Sequence, residues 1–451
     1  MDRHQMDVLE HAVDAALSAL SAAACAGAVS VGSSEHWMVA VRDGRAEQVD
    51  AGTNRGIRIT AWTDGNRTAT VTSADLAPAA VSAAAARAAE LAAACDADPW
   101  GGLAPIERCG QAQVALDLDD ANGFAAFSVE DGIKRLIDAE RAARAADPRI
   151  ATIHRSRCSS RRGTGLFATT HGIRQRETAT RFGLSVSAVA DAAGEKHLGW
   201  DATAARHLED LRRPDQVGSE AGRRAVEGYG WRRPPTGRWP VVFRRETASE
   251  LLDTVTSAVW GAAVFRGQSF LADAVGTRIT APAVTIIDDP LLRRGLGSRD
   301  SDGEGVRAAP LLVVANGVLR SFLVDGEAAR RLRHPYTGHA GGTSNVRLLP
   351  GTDSLDVLLE KLGTGLLATR FHGHGVDLAA GTISKGVDGF WVESGRIAYP
   401  VQEATLAGDL REILHGIRAI GDDPETETTT SSPSLLIDGC TVAGEAGGKN
   451  R

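Results

Sequence analysis

Apolar positions change their period along this chain, and the changes divide it into elements. Leu9, Val13, Ala16, Leu17 and Leu20 recur at helical spacing, which predicts an amphipathic helix over residues 6–26. The period then falls to two in AVSVG (28–32), HWMVAVRDG (36–44), RAEQVDAG (45–52), GIRITAWTDG (56–65) and RTATVT (67–72). Asp43-Gly44 and Asp64-Gly65 read as hairpin turns between them, giving an antiparallel meander of four or five strands. A second helix is predicted at about 77–95, with Pro78 in its first turn.

The same order then recurs. Ser128-Val129-Glu130-Asp131 has the form of a capping box, opening a helix that Asp147-Pro148 closes. Alternating segments near 150–160, 164–169 and 173–192 read as strands, and a helix is predicted near 214–228. The N-terminal region, 1–231, thus resolves into two α-β-α units, 1–110 and 125–231. Their order suggests an internal repeat, although their identity is too weak to establish a duplication.

Arg232-Arg233-Pro234-Pro235-Thr236-Gly237 is a linker by composition. From 238 to 451 the chain turns glycine-rich and strand-rich: WPVVF, AVTIID, APLLVVANGVLRSFLVD, GLLATRFHGHGVD and DGFWVESGRIAYPV. Residues 422–433 (DDPETETTTSSP) read as an exposed polar loop, and LLIDGCTVAG (435–444) as a last strand returning to the sheet. The predicted class is α+β: an α/β N-terminal region with antiparallel meanders flanked by helices, followed by a large β-rich antiparallel C-terminal domain.

Composition narrows the function classes. At 451 residues, 43% hydrophobic and 24% charged, this is the balance of an ordinary globular chain. A net charge of −7 gives no global attraction to nucleic acid or anionic lipid. The Ala-rich stretch 12–31 follows Asp2, Asp7 and Glu10 rather than a positive segment, so it is not expected to be a secretory leader, and no apolar run reaches membrane-spanning length. A cytoplasmic location is expected. Cys25, Cys95, Cys109, Cys158 and Cys440 show no paired spacing and read as small buried hydrophobes.

Several residues could carry chemistry. His372-Gly373-His374 would place two imidazoles on one face of a strand, a potential metal chelate and the basis of a divergent-hydrolase alternative. Asp300, Asp302 and Glu304 have the spacing of a calcium loop without its full pattern. Asp288-Asp289-Pro290 reads more simply as a turn closing a strand than as an acid–base pair. Ser269 has no local base, and neither a G-x-S-x-G elbow nor a phosphate-binding loop occurs. Eight arginines between Arg149 and Arg181 face one acid, Glu177, a local charge of +7 with few aromatics for stacking. That stripe is the only support for a DNA-binding regulator, and nucleic acid is not an expected partner.

One segment orders these readings. Leu251-Leu252 leads into Asp253-Thr254-Val255-Thr256-Ser257-Ala258, followed by GQSFLADAVG, TIIDDPLL and DGEGV. Tyr336-Thr337-Gly338, GTISKGVDGFWVESGRIAYPVQEATLAGDL and SLLIDGCTVAG come later, and VAVRDGRAEQVDAGTNRGIRITAWTDG and DPWGGL earlier. In order and spacing this set, covering nearly the whole chain, resembles the TldD/PmbA (TldD/TldE) metallopeptidase family.

In the family's catalytic members the Leu-Leu pair leads into a His-Glu-x-x-x-His zinc helix, and a Cys before the last strand completes the site. Here the helix positions are Asp253, Thr254 and Ala258, and residues 421–433 contain no Cys. The resemblance therefore implies the TldE (PmbA) type, with no catalytic residue, metal or cofactor in this chain. It implies a heterodimer with a TldD-like, zinc-binding subunit, acting on amide bonds of peptides or peptide-like biosynthetic intermediates. Asp302, Glu304, His372, His374 and Ser269 are the candidates for lining the substrate cleft or the partner surface. A gyrase-modulator-like binding protein is the alternative from another class.

Overall fold

The structure is a computed structural model, described over residues 3–192 and 194–444. The first α-β-α unit comprises α1 (Arg3–Ala22), β1 (Ala26–Arg42), β2 (Arg45–Thr63), β3 (Arg67–Ser73) and α2 (Pro78–Ala94). The second comprises α3 (Ala121–Ala126), α4 (Val129–Ala146), β4 (Ile150–Thr169), β5 (Arg174–Ala192), β6 (Glu195–Ala205) and α5 (Pro214–Val226). All six strands belong to one antiparallel sheet of order β3-β2-β1-β4-β5-β6. The two units meet at the long β1–β4 ladder, so the strand order is symmetric about its centre.

Three sequence expectations need correction here. The four or five short strands of the first meander are three long ones, because alternation continues through Gly32–His36 and Gly52–Gly56 without a turn. The segments near 150–160 and 164–169 are likewise one strand, Ile150–Thr169, and β6 was not foreseen. The Asp43-Gly44 turn does form, with both residues at positive φ (50° and 74°). So does the capping box, in which Ser128 Oγ accepts the Asp131 N–H and the Asp131 carboxylate accepts the Ser128 N–H.

Each pair of helices covers its own part of the sheet. Leu9, Val13, Leu20 and Val81 bury Val29, Val31, Ile57 and Ile59, while Leu136, Ala139, Val217 and Ala221 bury Val39, Cys158, Phe182 and Val186. Glycine sets the approach of α4 to α5. A Cβ at Gly218 would lie 1.9 Å from the Ala139 carbonyl oxygen.

After the linker come β7 (Gly237–Phe243), α6 (Arg245–Ala258), α7 (Gly261–Phe265), β8 (Ile286–Asp288), β9 (Leu311–Ala315), β10 (Val318–Leu319), α8 (Gly326–Leu332), β11 (Val346–Leu348) and α9 (Leu355–Leu362). They are followed by β12 (Gly365–His372), β13 (Val376–Asp377), β14 (Thr382–Glu393), β15 (Arg396–Asp409), α10 (Leu410–His415), β16 (Ile417–Ile420), β17 (Thr430–Ser431) and β18 (Leu435–Gly444). A seven-stranded sheet runs β12-β7-β18-β15-β14-β13, with β16 on β18. Because β12 also pairs with β14, five of these strands close into a ring. A smaller sheet runs β10-β9-β8-β11-β17. Among the named strands of this region, pairing is antiparallel except for β7–β12 and β11–β17. Helix α6 buries Leu251, Leu252, Val255 and Ala258 in the main core of this region, with Val241, Phe243, Leu366 and Leu435.

Candidate functional site

The buried residues of α6 leave a second stripe of the helix outside. Glu246, Glu250, Asp253 and Ser257 follow one another at three- and four-residue spacing and are half-buried or exposed. Glu246 receives Arg244 at 2.7 Å and Arg224 at 3.2 Å, and Glu250 receives Lys385 at 3.0 Å. Asp253, by contrast, makes no ion pair among the described residues.

The loop before β18 lies against this helix. Arg245 N–H donates to Ser434 Oγ at 3.1 Å, and Ser432 N–H donates to Ser249 Oγ at 3.1 Å. Asp423 holds the base of the loop closed, accepting the N–H and hydroxyl of Ser434 at 2.9 and 2.8 Å. This corrects the reading of 422–433 as an exposed loop. Most of it is half-buried, and Thr430–Ser431 adds a strand to the smaller sheet. Its acids also bridge the two regions of the chain. Glu427 accepts Arg212 Nε at 3.0 and 3.2 Å, while Arg212 also donates to Asp201 at 2.7 Å; Glu425 faces Arg245 at 3.6 Å. Arg212, Glu425 and Glu427 carry no motif, and only the juxtaposition of β6 with the loop reveals their roles.

Helix and loop thus adjoin where a zinc site of the resembling family would be completed, and the donors can be tested against that metal. A peptidase zinc site needs two imidazoles one turn apart, a third ligand and a carboxylate base. Ala258 has no donor atom and is 0% exposed. Thr254 Oγ1 donates to the Glu250 carbonyl at 3.0 Å. The thiol nearest in sequence, Cys440, is buried within β18, and burial pushes it up to about 12, far from a thiolate ligand. The donor set does not fit zinc.

The other sequence candidates lie apart from this junction or are otherwise engaged. His372 is the last residue of β12 and its Nε2 meets Asp388 Oδ2 at 2.7 Å, a carboxylate shared with Arg370. Gly373 then takes a positive φ of 73°, so strand alternation stops before His374 and the two-imidazole chelate loses its geometric basis. Ser269 is buried; its hydroxyl donates to the Ala258 carbonyl at 2.5 Å and accepts the Leu271 N–H at 3.0 Å, bracing the segment that follows α7.

Asp302 is 7% exposed and accepts the N–H groups of Glu304, Val306 and Ala340, each at 2.9 Å. Its oxygens organise the turn rather than face a cation. Burial nevertheless raises its pKa, because the three amides offset only part of the lost hydration. Glu304 sits beside it, half-buried, accepting the Gly326 N–H at 3.0 Å. Burial, reinforced by the charges of Asp302 and Asp325, raises Glu304 to about 7. The loop is a seam between regions: Gly110 N–H donates to the Gly305 carbonyl, Gln111 Nε2 to Asp300, and Gln175 Nε2 to the Gly305 carbonyl.

Asp288 shows a buried cluster that the reading as a turn missed. It accepts His339 Nε2 at 2.8 Å and the N–H and hydroxyl of Ser344 at 3.0 and 2.6 Å, and these bonds outweigh burial and hold its pKa low. Asp289 does form the turn, accepting the Leu291 N–H. The arginine stripe is dispersed. Arg162 is held bidentate by Asp119, Arg174 by Glu10 and Asp14, and Arg149 by Asp147.

Comparison with known proteins covers nearly the whole chain. Residues 27–92, 122–229 and 236–444 match the models of PmbA/TldA metallopeptidase domain 1, central domain and C-terminal domain. The metalloprotease PmbA of Escherichia coli O157:H7 is 33% identical over 443 residues, which is 98% of this chain and 97% of that protein. The chain belongs to the TldD/PmbA family. It is of the PmbA, or TldE, type. Among solved structures, TldE of Thermococcus kodakarensis shares the fold with a TM-score of 0.85 and 18% identity, covering 96% of this chain and 100% of that one. A Bacteroides thetaiotaomicron protein described as a candidate modulator of DNA gyrase superposes with a TM-score of 0.91 at 23% identity, over 98% and 99% of the two chains. No helix among the described residues is long and apolar enough to cross a membrane.

Proposed function

We propose that this PmbA-type chain is the non-catalytic subunit of a heterodimeric zinc metalloprotease, with zinc and the water-activating carboxylate on a TldD-like partner. The complex hydrolyses amide bonds in peptides or peptide-like biosynthetic intermediates. One observation carries the reading. Helix α6 and the loop before β18 are in place, yet Asp253, Thr254 and Ala258 stand where His, Glu and His would be, and no Cys lies between Gly421 and Ser434. A fold kept around such a position is suited to docking and to enclosing substrate. The exposed stripe of α6 and the half-buried acids of 422–431 supply polar contacts for both roles.

The test is reconstitution. The chain is purified alone and with a TldD-like subunit from the same organism, and each sample is assayed for zinc and for cleavage of an unstructured peptide. The expected result is zinc-dependent cleavage by the pair, abolished by chelator, and none by the lone chain. Chelator-resistant cleavage by the lone chain, or full activity of the partner without it, would overturn the proposal.

A further inference from the structure

A cavity of about 170 Å³, with room for about five or six waters, lies between the N-terminal and C-terminal regions. Its floor is formed by Arg244, Glu246 and Glu250 at the start of α6, with Thr369 and Arg370 from β12. The side chain of Arg244 is only 17% exposed. Its Nε donates to Glu246 at 2.7 Å, and its two terminal nitrogens donate to nothing among the described residues. The other charged groups in the wall are matched. Arg370 holds Asp388 at 2.9 Å, Lys385 holds Glu250 at 3.0 Å, Arg223 holds Glu227, and Arg224 is shared by Glu220 and Glu246.

The terminal nitrogens of this largely buried guanidinium open onto the cavity, where an acceptor can reach them. Its free fork matches a planar carboxylate, which takes two parallel N–H donors. Glu246, Glu250 and Asp388 nearby disfavour a doubly charged phosphate. His197 and Gln402, 3.2 Å apart, add a neutral polar pair, and apolar surface completes the lining: Leu198 and Trp200 on the outer strand β6 are 44% and 50% exposed, and Phe390 and Pro400 face them from β14 and β15. Trp and Leu left this open beside a cavity suit an apolar ligand surface.

From this we infer that the cavity binds the C-terminal carboxylate of a short peptide, Arg244 taking the carboxylate and Trp200 and Leu198 the terminal apolar side chain. Binding needs neither zinc nor a second subunit, so its failure and that of the proposed function are separately visible.

The experiment titrates the full chain, alone, with N-acetyl-leucyl-leucine, its C-terminal carboxamide, and N-acetyl-aspartyl-leucinamide, by calorimetry and tryptophan fluorescence. The free acid is expected to bind, with the carboxamide and the side-chain carboxylate each at least about tenfold weaker, the scale of one lost charge-assisted contact. Arg244→Gln should show the same loss towards the acid. Trp200→Ala, at an exposed position that does not threaten folding, should weaken all three peptides. Equal binding of acid and carboxamide, equal binding of the aspartyl peptide, or no binding of the acid by about 10 mM would overturn the assignment. If Arg244→Gln does not fold, the peptide series and Trp200→Ala decide the matter.

Discussion

Glu304 should make this protein less stable as pH rises, and replacing it with glutamine should remove that dependence. Its carboxyl is raised from the ordinary 4.5 to about 7, by burial first and then by the charges of Asp302 and Asp325. A carboxyl raised by folding stabilises the fold in its protonated form. That contribution is fully present below 4.5, where the unfolded chain is protonated too, and is lost as pH climbs through about 7. The full interval corresponds to about 3.4 kcal/mol between the protonation states. Residual water contact at this half-buried site brings the usable figure to about 2 kcal/mol. Glu304→Gln is neutral throughout and keeps an oxygen for the Gly326 N–H, so it isolates the charge. Urea denaturation of both proteins at a series of pH values measures the difference. The variant should match wild type near pH 4.5 and exceed it by about 2 kcal/mol by pH 8. A difference that is flat with pH, or largest in acid, would refute the reasoning.

Three further outcomes follow from particular contacts. Gly218→Ala forces a Cβ to within 1.9 Å of the Ala139 carbonyl, so α4 and α5 must separate; a loss of about 2–3 kcal/mol and a lower thermal midpoint are expected. Arg212→Ala leaves Asp201, which is 5% exposed, and Glu427 without their shared cation; a loss of about 1–3 kcal/mol and faster proteolytic nicking within 422–431 are expected, whereas unchanged nicking would mean the loop is held by its other bonds alone. Thiol labelling of the native chain near pH 8 should modify Cys95, the one exposed cysteine, and spare Cys158 and Cys440, both buried and pushed up to about 12, until denaturant is added.

The parts of the fold that sequence made legible are those set by local chemistry. Asp43-Gly44, the Ser128 capping box and Pro78 at the head of α2 each act within a few residues, and each forms as its residues predict. Strand length was harder to judge. Gly32–His36 and Gly52–Gly56 look like interruptions because glycine and polar residues break the apolar alternation, yet the backbone runs straight through and the ladder is continuous. In the C-terminal region, acids and serines had several uses that sequence could not separate. Asp302 and Ser269 bond to backbone groups, while Asp288 is buried against a histidine 51 positions away, a partner that no spacing rule reaches. Arg244 is the same difficulty at a cavity. It is unremarkable in sequence and becomes notable only when β6 and β12 are brought against it.

The bonding of the loop before β18 supports the docking role proposed for this junction. An open zinc site needs donors held ready and otherwise unbonded. Here the donors are committed. The Asp423 carboxylate closes on Ser434, Glu427 is held by Arg212, Ser432 donates its N–H to Ser249, and the Thr254 hydroxyl returns to its own helix. Where these bonds engage a carboxylate or hydroxyl oxygen, they also occupy a potential ligand. Rigidity gained in this way fixes the exposed stripe of α6, with unpaired Asp253 at its centre, in a defined position relative to β6. A surface of that kind can meet another subunit with little ordering cost, which is the physical basis for reading this junction as a contact surface. Asp253 is then the most informative single residue on it: an exposed carboxylate with no ion pair among the described residues is available to a cation across an interface and unable, by itself, to hold zinc.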